Sequence, residues 1–71
     1  MSTQKLIRTT VEDIRAGNLV YISHEIGTHI KFRVMGPNGQ RVIIASISPR
    51  NPYSARRKNQ AIIRRIAQGL I

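Results

Sequence analysis

The sequence predicts an α+β fold of order α-β-β-β-α, in which three antiparallel strands form a meander and two helices pack on one face of the sheet. Three observations predict this fold. Apolar residues near both ends of the chain have helical spacing, the middle of the chain alternates with a period of two, and short glycine-containing turns separate the alternating segments. At 71 residues, we expect one small domain spanning residues 1–71.

The first helix is predicted over residues 9–17, after a loose lead-in at residues 1–8. The threonines at positions 9 and 10 each stand three residues before an acidic residue, which fits a capping box. Those acidic residues would then lie in the first turn, where the helix dipole favours negative charge. Gly17 or Asn18 is suited to the left-handed conformation that often ends a helix.

Three strands are predicted at residues 19–23, 29–35 and 41–47, joined by turns at "EIGT" and "GPNG". In the second strand, apolar side chains at positions 30, 32 and 34 alternate with His29, Lys31 and Arg33. That pattern is typical of a half-buried strand, so the polar set is expected to face solvent.

The last helix is predicted over residues 52–69, after the loop "SPRNPYS". Its apolar positions form one stripe, and basic residues occupy much of the remaining surface. Since the third strand runs back towards the first hairpin, the start of this helix should lie at the same end of the sheet as the two histidines. A helix N-terminus and neighbouring cations suit phosphate groups.

Charge is the strongest bulk signal, because twelve Lys and Arg residues oppose three acids for a net charge of +9. Such a surface attracts polyanions, so nucleic acid is the leading partner class, ahead of an acidic protein or an anionic membrane. The chain has no cysteine, which excludes disulfides, thiolate metal sites and a cysteine nucleophile. We expect a soluble, cytoplasmic protein with no cofactor, no metal site and no membrane association.

The residues expected to contact nucleic acid are cations and one hydroxyl near the hairpin, on the sheet and on the last helix. They are Thr28, Lys31, Arg33, Arg50, Arg56, Arg57, Lys58 and Arg64. The alternative is that the arginines form an ordinary solvated helix face.

His29 is the main catalytic candidate, because an exposed imidazole beside phosphates suits general acid–base chemistry near neutral pH. His24 is a weaker candidate, which would form an acid–base pair if it faced His29 across the hairpin. The competing interpretation is that both are polar residues flanking a turn.

Residues 18–45, "NLVYISHEIGTHIKFRVMGPNGQRVIIA", resemble the HicA toxin family of small bacterial and phage proteins with a double-stranded-RNA-binding-domain fold. The resemblance lies in the "GTH" step that opens the second strand, the "GPNGQRV" hairpin and the terminal helix. It implies ribosome-independent, metal-independent cleavage of mRNA by His29 and silencing by an acidic HicB-like antitoxin. The chain departs from the family after His29 and in the longer, more basic segment "SPRNPYSARRKNQ".

The functional prediction is therefore an RNA-binding protein, with RNA preferred over DNA, that has HicA-like endoribonuclease activity. One alternative is a non-catalytic nucleic-acid-binding module, such as a phage regulatory factor. A second is a basic inhibitor that docks on an acidic protein or a nucleoprotein complex. The oligomeric state is left open between a monomer and a homodimer.

Overall fold

The secondary structure follows the predicted α-β-β-β-α order, and the sheet is antiparallel with strand order β1-β2-β3. The computed structural model describes residues 2–71. Its elements are α1 Thr3–Ala16, β1 Val20–Ile26, β2 His29–Gly36, β3 Gly39–Ser46 and α2 Pro52–Ala67. The predicted fold class is therefore confirmed.

The first helix begins much earlier than predicted, so the loose lead-in at residues 1–8 is wrong for residues 3–8, while residue 1 lies outside the described range. Ser2 is the N-cap, and its hydroxyl accepts a hydrogen bond from the Lys5 amide at 3.2 Å. Leu6, Thr10 and Ile14 are buried at spacings of four, so the apolar stripe already includes Leu6.

The predicted capping box at positions 9 and 10 is wrong for the same reason, because both threonines lie inside α1. The buried Thr10 hydroxyl instead donates to the Leu6 carbonyl at 2.8 Å, which satisfies it within the helix. At the other end, Asn18 has φ 65°, whereas Gly17 has φ −82°. Of the two residues suggested for the left-handed cap, it is Asn18 that adopts the conformation.

The first hairpin is longer than predicted, since β1 runs to Ile26 rather than to residue 23. Its pairing with β2 closes at Ile26–Ile30 and continues through Glu25–Lys31 and His24–Phe32. The register shifts by one residue between Tyr21 and Ser23, which is a β-bulge. The second hairpin closes at Gly36–Gly39, around the predicted "GPNG" turn.

The core lies between the sheet and the two helices, which both cover the same sheet face. Phe32 is fully buried at its centre, between Ile30 and Val34 of the same strand. The remaining buried apolar side chains come from the helices, from β3 and from the α1–β1 connection: Leu6, Ile14, Leu19, Ile43, Ala45, Ile63 and Ile66. The alternation predicted for the second strand is therefore confirmed.

The two ends of α2 are fixed by different parts of the chain. At its start, the Asn51 side chain accepts a hydrogen bond from the Ser54 amide at 3.1 Å. At its end, Gly69 has φ 75°, and the Gly69 carbonyl accepts a hydrogen bond from the Asn38 side chain at 2.7 Å. Because Asn38 belongs to the second hairpin, α2 must begin at the opposite end of the sheet, beside the first hairpin.

Candidate nucleic-acid interface

Most exposed cations lie on the helical layer rather than on the sheet. Those on the two helices, apart from Arg56, are Lys5, Arg8, Arg15, Arg57, Lys58, Arg64 and Arg65. We call these seven residues the helical cation set. Glu12 and Asp13 are the acidic residues of the same layer, so the outer surface of the helices has a large positive excess. A surface of this kind attracts a polyanion.

Arg56 does not belong to the helical cation set, because it holds the two helices together. Its Nε and Nη2 atoms donate to the two carboxylate oxygens of Asp13, each at 3.0 Å. The hydrogen bonds to Asp13, and then the charge of that carboxylate, raise the pKa of Arg56 above its ordinary value. Two donors of Arg56 thus already serve a carboxylate within the protein, while 52% of its side chain is exposed, and its contact with phosphate stays a prediction.

The start of α2 presents the other predicted cations to solvent. The Arg57 guanidinium carbon lies 5.9 Å from the centre of the Tyr53 ring, and Tyr53 is 72% exposed. Lys58 is exposed one residue further along, and Arg50 is exposed in the loop that precedes the helix. These four side chains share the end of the molecule that also carries the first hairpin.

A groove of about 490 Å³ separates α1 from the second half of α2. Arg64 lines it on one side, with Gln60 and Gln68 above and below, and Gly17 forms part of the opposite wall. Asp13 also lines the groove, which therefore combines one cation, one carboxylate and two neutral amide side chains. The amides can donate to or accept from a polar ligand.

His29 lies on the sheet face that the helices leave uncovered, as its alternation with Lys31 and Arg33 predicts. It pairs with Ser46 of β3 and lines an open hollow of about 350 Å³ at the first hairpin. Thr28, Glu25 and Lys31 line the same hollow. A carboxylate, an imidazole and an ammonium group are thus gathered at one place, which is a set able to move protons and stabilise negative charge.

Arg33 lies further along this face, beyond Lys31. Its Nη2 atom is 3.9 Å from a carboxylate oxygen of Glu25, and both side chains are well exposed. Such an ion pair contributes little to stability. Arg33 and Glu25 are therefore able to exchange this contact for one with a ligand.

His24 does not face His29, so the proposed acid–base pair is wrong. The register sets His24 opposite Phe32, on the face that the helices cover, while His29 points to the open face. The reason is that the hairpin pairing closes at Ile26–Ile30, which leaves positions 24 and 29 with opposite parity. The Tyr21 hydroxyl is instead hydrogen-bonded to Nδ1 of His24 at 2.5 Å.

The open sheet face carries apolar side chains as well as the predicted polar ones. Val20, Met35, Val42 and Ile44 occupy it together with Lys31 and Arg33, and between 43% and 62% of each of these four apolar residues is exposed. Arg41 pairs with the buried Val34 and therefore lies on the helix-covered side. The open face is a mixed apolar and polar surface.

Sequence reasoning missed four members of the helical cation set, namely Lys5, Arg8, Arg15 and Arg65. Two of them fall in the segment that was expected to be a loose lead-in, and none was considered as a ligand. A signal for a longer first helix was present in the sequence. Leu6 and Ile7 stand four positions before Thr10 and Val11, so they extend the helical stripe towards the N-terminus.

Comparison of the chain with family models, curated proteins and solved structures finds no match. Within residues 2–71, no group of three or more His, Cys, Asp or Glu side chains is arranged to hold a metal ion. Over the same residues, neither helix combines the length and the apolar character that crossing a membrane requires.

Proposed function

We propose that this protein binds nucleic acid in the cytoplasm through the outer surfaces of α1 and α2, and that it prefers RNA to DNA. The observation that carries the proposal is the helical cation set: seven exposed cations on one layer, with Glu12 as the exposed acid among them. Each phosphate neutralised by such a side chain releases a condensed counterion, which makes binding favourable at low salt. The preference for RNA comes from the sequence resemblance and from the general rule that A-form helices are recognised by shape.

The salt dependence of binding tests this proposal. Removing two charges from the helical layer, with Arg57→Gln and Arg64→Gln, should lower the slope of log K against log salt concentration by about two. The matched control, Lys31→Gln with Arg33→Gln, removes the same charge from the opposite layer and should change the slope less. Binding that does not depend on salt, or equal effects of both pairs, would contradict the proposal. The preference for RNA is tested by comparing the affinity of the protein for an RNA duplex and for a DNA duplex of the same sequence.

Cleavage of RNA is a second candidate function, favoured by the hollow that His29 shares with Glu25 and Lys31. Either His29 or Glu25 would take the proton from a ribose 2′-OH, whose oxygen then attacks the adjacent phosphorus. The bond from phosphorus to the 5′-oxygen breaks, the other group protonates that oxygen, and Lys31 stabilises the extra negative charge. The products are a 2′,3′-cyclic phosphate and a 5′-hydroxyl end, and no metal ion takes part.

Purified protein incubated with RNA in a chelating buffer distinguishes cleavage from binding alone. His29→Ala should abolish cleavage while it leaves the salt-dependent binding unchanged, and DNA, which lacks the 2′-OH, should stay intact. Under this candidate, expression should arrest growth, and an acidic HicB-like protein should relieve the arrest. Intact RNA after incubation with the wild-type protein would leave the non-catalytic binding module as the function.

A further inference from the structure

We propose that Arg15, Tyr21 and His24 form a stacking site for an unpaired nucleobase at the outer edge of β1. The inference rests on the proposed nucleic-acid binding and adds the kind of nucleic acid that fits: an RNA helix with a bulged or looped base beside it. The hollow around His29 includes none of these three side chains, and of the three only Arg15 also belongs to the helical cation set.

The three side chains are held in one arrangement by direct contacts. The ring centres of Tyr21 and His24 are 6.1 Å apart with their planes inclined by 26°, and the Tyr21 hydroxyl is hydrogen-bonded to His24. The fully buried ring of Phe32 lies 6.0 Å from the His24 ring and supports it from the core. The Arg15 guanidinium carbon lies 6.0 Å from the centre of the Tyr21 ring. The imidazole is thus anchored before any ligand arrives, which lowers the entropic cost of stacking on it.

The β-bulge of β1 creates this arrangement. Residues three apart on a regular strand point to opposite faces, so an unbroken strand would separate Tyr21 from His24. The register shift between Tyr21 and Ser23 inserts one residue, and both side chains then lie on the helix-covered face, opposite Val34 and Phe32 respectively. Bulges that redirect a side chain in this way are common beside functional sites.

A nucleobase is the ligand that this chemistry fits. His24 is exposed although Phe32 supports it from the core, so part of an aromatic surface remains open to solvent. Bases removed from a helix stack on aromatic rings and on guanidinium planes, and both kinds of group are present here. Within residues 2–71, β1 is hydrogen-bonded to β2 alone, so no strand covers its other edge.

The neighbouring cations supply a path for the attached backbone. Arg15 lies on α1 with Lys5 and Arg8, and the ten helical steps from Lys5 to Arg15 span about 15 Å. That length matches about four nucleotide steps of a stacked strand. A strand whose phosphates follow the exposed cations of α1 would therefore reach the Tyr21–His24 pair with a base available for stacking.

The test uses the full chain and two short RNA hairpins that differ only in their loops, one of adenosines and one with abasic positions. Wild-type protein should bind the adenosine loop about tenfold more tightly. The ring protons of His24 and Tyr21 should shift on its addition and stay unchanged with the abasic loop, as followed by NMR. His24→Ala should remove the preference for the adenosine loop, and Tyr21→Phe, which keeps the ring but loses the anchoring hydroxyl, should reduce it.

Tyr53→Ala is the matched control, because it removes an exposed aromatic ring next to an arginine on α2 and should keep the full preference. Thermal unfolding of each variant verifies that the fold is intact. Equal binding of both hairpins by the wild-type protein would overturn the stacking site and leave the proposed phosphate binding standing. Failure of the wild-type protein to bind either hairpin would overturn both.

Discussion

Replacement of Gly17 by alanine should destabilise the protein through a single steric contact. A Cβ atom at position 17 would lie 2.4 Å from Cγ2 of Ile63, whereas carbon atoms in contact prefer about 3.5–4.0 Å. Ile63 is 3% exposed, so it has little room to retreat. The φ of Gly17 is −82°, an ordinary value for any residue, and the substitution therefore introduces no backbone strain.

The expected magnitude follows from two opposing effects. Overpacking of this kind costs about 1–3 kcal/mol. The alanine also restricts the unfolded chain, which offsets about 0.4–1 kcal/mol of that cost. A net loss of about 1–2 kcal/mol should lower the Tm of a domain of this size by roughly 5–15 °C.

Thermal unfolding followed by circular dichroism measures this change, and Gly27→Ala is its matched control. A Cβ atom at position 27 would meet only the His29 carbonyl oxygen, at an ordinary distance of 3.8 Å. That variant should therefore keep the Tm of the wild type. The reasoning is refuted if Gly17→Ala unfolds at the wild-type temperature, or if the two variants lose stability equally. A smaller loss for Gly17→Ala in an Ile63→Ala background would identify the contact directly.

Two further predictions concern the ends and the packing of the helices. Asn51→Ala removes the N-cap that accepts from the Ser54 amide and should lower the free energy of unfolding by about 0.5–2 kcal/mol, as measured by urea denaturation. Asp13→Asn weakens the paired hydrogen bonds from Arg56 and should lower the Tm in a thermal scan. Glu12→Gln makes the same charge change at the preceding position and should leave the Tm higher than Asp13→Asn does. The opposite order of the two Tm values would mean that the Asp13–Arg56 contact does not stabilise the fold.

The second strand was the most predictable element, because its side chains alternate strictly and a turn signal follows it. That alternation was enough to assign Phe32 to the core and His29 to the open face, and the structure has both as expected. The first helix was predicted too short, since a strong local signal at the threonines outweighed the weaker continuation of the apolar stripe to Leu6. Local propensity competes with packing over the whole helix, and packing prevailed here.

The position of His24 could not be obtained in this way. Its face depends on where the hairpin closes, and its contact with Tyr21 depends on the bulge between Tyr21 and Ser23. Neither feature has a clear signature in the residues themselves. A slip of one residue in the register would move every side chain of the strand to the other face. The pairing of Arg56 with Asp13 was equally hidden, because these residues are far apart in the chain and meet only when α1 packs on α2.

Composition and periodicity were therefore sufficient to predict the fold class, the large positive charge and the solvent-facing position of His29. These properties depend on residue type and on spacing along the chain, both of which can be read directly. Strand register and helix packing decide three other features. They are the separation of the cations onto the helical layer, the pairing of Arg56 with Asp13, and the contact between Tyr21 and His24. Those are long-range relations, and they exist only once the sheet has closed beneath the two helices.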